Sequence, residues 1–145
     1  MCRFRAGQEP PMPDPQLCSE EEISELVTLF YARVRSDAQL GPIFNAHVHD
    51  WDAHLVKLTD FWSSALRGTR RYRGTPMPIH AALPGLTAKL FRHWLQLFDA
   101  TVAGLPNAAL RERASELAHR IAQSLWYGYQ VAHNPTALPS DAVFT

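Results

Sequence analysis

Apolar residues recur at three- and four-residue spacing through four long stretches of this chain, and no stretch alternates apolar with polar. That pattern makes helices whose buried faces must cover one another, and it leaves no material for a sheet. The predicted fold class is all-α. The first stretch, "SEEEISELVTLFYARVRSD", opens with Ser19 and, three residues on, Glu22, a capping box, and its three glutamates suit a helix N-terminus. Ile23, Leu26, Val27, Phe30 and Val34 then form its stripe, with Tyr31 beside it. "LGPIF", residues 40–44, reads as a tight corner carrying Phe44. Asp50 is a suitable cap for a second helix, whose apolar positions are Trp51, Leu55, Leu58, Phe61, Trp62 and Ala65. His54 lies on that same apolar side. A third helix is expected from about Thr87 to Ala103, with Phe91, Trp94, Leu95, Phe98 and Val102 as its main stripe. Gly104 and Pro106 end it, and Asn107 can cap a fourth helix reaching about Ala132.

The 145 residues suffice for one domain with a real core. Net charge is zero and pI about 7.1, which argues against partners recruited by bulk charge, nucleic acid and acidic membranes among them. Cys2 and Cys18 lack the spacing of a metal knuckle or a disulfide framework. No apolar run has the length of a signal peptide or a membrane span, so the expected location is cytoplasmic. Prolines at 10, 11, 13 and 15 make residues 1–18 a flexible leader. Residues 19–133 are the expected domain and 134–145 a loose tail.

Four long helices do not account for "TPMPIHAALPGL", residues 75–86. Pro76, Pro78 and Pro84 shorten any helix there, and the apolar neighbours of His80 are unusual for a plain loop. A short stiff segment that presents one imidazole to an apolar space suits a proximal haem ligand. The opposite side of such a site needs hydrogen-bond donors, because a diatomic ligand at iron carries partial negative charge. Tyr31, His54 and Trp94 are donors on or beside otherwise apolar helix faces. "HVHDWDAH", residues 47–54, offers a rival zinc or non-haem iron site through His47, His49, Asp50 and His54. Its spacing opposes that: two histidines precede the helix while His54 faces inward. His93 flanks the third stripe and His119 lies on a polar face.

Four separated segments, "LFYARVRSDAQLGPIF", "WDAHLVKLTDFW", "YRGTPMPIHAALP" and "FRHWLQLFDATV", resemble the truncated haemoglobins, and their third group most. With the last helix they span roughly residues 19–132. The resemblance implies a truncated globin fold, a two-on-two helical sandwich around haem b with a short proximal helix. By that match His80 is the proximal iron ligand, Tyr31 and His54 are the distal tyrosine and histidine, and Trp94 is the tryptophan over the ligand. Phe44 matches the aromatic that packs on haem, and Leu58 the apolar residue one turn beyond His54. Phe61 is expected to line the same site, and Tyr72, with the basic residues of the 67–73 loop, to meet the haem propionates.

The function implied is binding of oxygen, nitric oxide, carbon monoxide or similar ligands. Several donors aimed at one apolar pocket suggest oxygen held for redox chemistry rather than bulk transport. Nitric oxide dioxygenase or peroxidase-like activity, with a reductase partner, fits that expectation. A haem-based sensor or haem-handling interaction module is the alternative, and a haem-free helical module a third. The expected assembly is a monomer or weak homodimer.

Overall fold

The computed structural model describes residues 12–72 and 85–133. Among these residues every regular element is a helix. They are α1 (Glu20–Ser36), α2 (Gly41–His47), α3 (Trp51–Arg67), α4 (Ala88–Val102) and α5 (Ala108–His133). Helix α1 packs on α3, α4 packs on α5, and α1 packs onto α4, so two helix pairs are stacked two on two.

Each long helix begins where its local chemistry places it. Ser19 accepts from the Glu22 amide at 3.1 Å while Glu22 accepts from the Ser19 amide at 2.9 Å. Asp50 caps α3 through the Ala53 amide, Thr87 caps α4 through the Leu90 amide, and Asn107 accepts from the Leu110 amide at the start of α5. These bonds satisfy amides that have no partner within the helix. Gly68, with φ 76°, closes α3 in the left-handed conformation.

The segment 40–44 is not only a corner: it opens the seven-residue helix α2. Pro42 sits in the first turn, where its missing N–H costs nothing. Gly41 is needed because a Cβ there would stand 2.7 Å from the Arg35 carbonyl oxygen. α2 therefore turns directly off the end of α1.

The core is aromatic at its centre. Phe98 is fully buried, with Trp62 stacked on it at 5.1 Å and Trp94 at 5.7 Å. Phe30 meets Phe98 edge-on at 5.0 Å and Trp94 at 5.2 Å. Around this cluster lie Ile23, Leu26, Val27 and Val34 of α1, Leu66 of α3, and Leu95 and Val102 of α4. The middle of α5 buries only small side chains, Ala114, Ala118 and Ala122, which lets it approach its neighbours closely.

Packing begins before Ser19. The Asp14 amide donates to the Leu66 carbonyl at 2.9 Å, and Leu17 and Cys18 are buried. The Asn107 side chain holds the Leu17 carbonyl, and Arg113 reaches the Met12 carbonyl. The part of the expected leader from 12 to 18 is thus tied across α3 and α5.

Asp37 is the junction of α1, α2 and α4. Its carboxylate accepts from the Gln39 and Leu40 amides at 3.0 and 2.9 Å and meets His93 Nε2 at 2.8 Å. Burial pushes its pKa up, but the Leu40 amide, His93 and the Gln39 amide outweigh burial and hold it below the ordinary value. A carboxylate lowered on folding adds stability above its unfolded pKa of about 3.9 and loses it as pH falls through the folded value. Asp37→Asn should therefore lower the thermal midpoint near neutral pH by roughly 2–6 °C. The gap between variant and wild type should close in acid below about pH 4. A gap that stays constant through that range would show that the carboxylate charge is not what holds the junction.

Candidate functional site

α3 leaves the core at its N-terminal half. Trp62, Ser63 and Leu66 are buried, whereas His54, Leu55, Leu58 and Phe61 are only half-buried despite their apolar company. Between this half of α3, α2 and α5 lies a cleft of about 1480 Å³, counting the solvent at its mouth. Phe44, Leu58, Phe61, Ile121 and Leu125 supply its apolar wall, while the exposed His47, His49, Asp50 and Lys57 lie along its polar side. An apolar recess of about 560 Å³, again counting solvent at its mouth, adjoins it, sharing Tyr31, Ile43, Phe44, Trp94 and Leu125.

Tyr31, His54 and Trp94, predicted from separate helices, all line this cleft. Tyr31 is 5% exposed, and its ring meets Phe30 at 4.8 Å and Phe44 at 6.1 Å, both edge-on. Trp94 lies beside the Tyr31 phenol on the cleft. Burial pushes the Tyr31 pKa well above its ordinary value, and the neighbouring Trp94 indole offsets only part of that. Tyr31 is accordingly a neutral phenol. Indole has an N–H but no acceptor, so Trp94 does not compete for the Tyr31 proton, which is left for another acceptor.

Phe44, Leu58 and Phe61 line the cleft. Tyr72 also reaches it, edge-on to Phe61 at 5.2 Å, with its amide donating to Ser64 Oγ at 2.9 Å. The arginines before it do not follow. Arg67 and Arg71 both pair with Glu20, Arg71 at 2.8 Å, and Ser63 donates to the same carboxylate at 2.7 Å. That three-way pairing fixes the loop to the start of α1. His80 lies outside the described residues.

The rival metal site does not assemble. Among the described residues no group of three or more His, Cys, Asp or Glu side chains is placed to hold a metal ion. His93 and His119 serve the scaffold, paired with Asp37 and, at 2.9 Å, with Asp99. Trp51 was expected only as an apolar position of α3. It sits against Tyr31 at 6.3 Å and edge-on to His54 at 5.5 Å. The one local signal was its place three residues before His54, one turn away on the same helix face.

Two stacked helix pairs, with an apolar cleft holding a buried tyrosine and a tryptophan, make a globin of the truncated kind. A family model described as bacterial-like globin matches residues 16–126. The chain belongs to that family. It is 33% identical over 118 residues to the group 3 truncated hemoglobin ctb of Campylobacter jejuni, a match covering 77% of this chain and 93% of that protein. The crystal structure of a group III truncated hemoglobin from Campylobacter jejuni superposes with a TM-score of 0.73 at 28% identity. The superposition covers 86% of this chain and 98% of the other. The family implies haem and the binding of small gaseous ligands. The cleft suits such a group: half-buried apolar side chains for a flat macrocycle, and a polar side for its carboxylates. No described helix is long and apolar enough to cross a membrane.

Proposed function

We propose that this chain binds haem b in the cleft, with His80 as the protein ligand to iron, and retains oxygen there for redox chemistry. The observation that supports this best is the meeting of Tyr31 and Trp94 on one apolar cleft, with the phenol buried and neutral. Haem supplies an iron that takes diatomic ligands. Tyr31 donates its proton to the ligand, and Trp94 orients Tyr31 from behind. His54 adds a second donor or guards the approach. Phe44, Leu58 and Phe61 keep water out, which strengthens each hydrogen bond inside. Tyr72 closes the edge of the site toward the propionates.

A ligand held this way leaves slowly, which suits consumption of oxygen in place rather than carriage. Conversion of nitric oxide and oxygen to nitrate consumes one electron per turnover, so a cytoplasmic reductase is the proposed partner. Reduction of peroxide is the second chemistry the same donors serve.

The test is the absorption spectrum of the purified protein in ferric, reduced and carbon monoxide forms, beside His80→Ala. A Soret band that moves on reduction and on carbon monoxide, and is weakened or altered in the variant, is expected. A protein that gains no Soret band after addition of haem would overturn the reading. A variant spectrum identical to wild type would remove His80 from the iron.

A further inference from the structure

We propose that Trp51 is a positioning residue that sets the orientation of His54 in the cleft and thereby couples α2 to ligand access. The ligand-access part rests on the haem reading above; the positional part does not. The Trp51 indole is edge-on to the His54 imidazole, with centroids 5.5 Å apart and planes at 86°. Its other neighbour in the cleft is Tyr31, at 6.3 Å. Trp51 thus occupies the wedge between two of the candidate distal groups.

What makes this more than a packed ring is how the indole itself is fixed. Trp51 Nε1 donates to Asn45 Oδ1 at 3.1 Å. Asn45 Nδ2 donates in turn to the Arg35 carbonyl at 3.3 Å. The Arg35 guanidinium lies over the Trp51 ring, 4.6 Å from its centroid. Three residues from α1, α2 and α3 form a closed loop, so the indole has one orientation. The imidazole three residues on takes its edge-to-face partner from that orientation. A shift of α2 would pass through Asn45 to Trp51 and so to His54.

The experiment is a double-mutant cycle with Trp51→Phe and His54→Leu, supported by Asn45→Leu and Asn45→Asp. In the haem-loaded protein, Trp51→Phe is expected to change carbon monoxide association by about three- to tenfold, the range for an aromatic pair. It should also move the infrared C–O stretch. In the His54→Leu background the same substitution should do neither, because its effect runs through His54. Asn45→Leu should copy Trp51→Phe, and Asn45→Asp, which keeps the acceptor for the indole but loses the donor to the Arg35 carbonyl, should fall between Asn45→Leu and wild type.

Proton NMR of the haem-free protein reads the positional claim directly. The His54 ring resonances should move in Trp51→Phe and in Asn45→Leu, while those of His93 and His119 stay in place. Additive effects in the cycle, or a Trp51→Phe protein with unchanged association and unchanged C–O stretch, would overturn the coupling. Unmoved His54 resonances would overturn the positioning. A missing Soret band with shifted His54 resonances would sink the haem reading and leave the positioning upheld.

Discussion

Phe98→Ala should cost about 3–5 kcal/mol, a large part of the roughly 5–15 kcal/mol that holds a domain of this size together. Phe98 is fully buried and is the ring that Trp62, Trp94 and Phe30 all lean on. Its removal loses the transfer of the phenyl group and leaves a void between two stacked indoles that cannot collapse without moving α3 against α4. The midpoint in urea should fall while the slope of the transition stays the same. Phe98→Leu, which keeps most of the volume, should cost far less. A loss below about 1 kcal/mol for the alanine variant would mean that the aromatic cluster is not the core.

Tyr31→Phe should speed oxygen release about ten- to hundredfold, the equivalent of one hydrogen bond to a partly charged acceptor. Stopped-flow displacement of oxygen by carbon monoxide measures it. The substitution takes away the phenol hydroxyl and keeps the ring against Phe30 and Phe44. Trp94→Phe should act in the same direction but less, because the indole works through the phenol. Equal effects, or a larger one at Trp94, would reverse that order of donors. Two unchanged release rates would end the argument for slow release. Since burial holds the Tyr31 pKa above its ordinary value, the wild-type release rate should stay level up to about pH 10.

The long helices were legible because their signals are local. Ser19 with Glu22, Asp50, Thr87 and Asn107 each bond an amide three residues on, within reach of any chain that turns helical there. α2 was not, because Gly41 and Pro42 are turn residues by composition. Their use in a helix depends on how closely α2 approaches Arg35, which a sequence does not display. The same divide runs through the site. Tyr31, His54 and Trp94 could be named from residue type, helix face and family pattern. The meeting of Tyr31 and Trp94 on one cleft, and the wedge of Trp51, arise only when α1, α3 and α4 are assembled. The capture of Arg67 and Arg71 by Glu20 spans about fifty residues of chain. From the loop alone, those arginines read as free cations.

The alanine seam of α5 gives this protein a remote way to tune its cleft. Ile121 and Leu125 form part of the cleft wall, and both ride on the helix whose depth Ala114, Ala118 and Ala122 determine. One added methyl at Ala118 would act as a shim, pushing the whole wall outward by a fraction of an ångström. Affinity would then be adjusted over a graded range from two turns away on the same helix face, with every donor atom in the cleft left as it is.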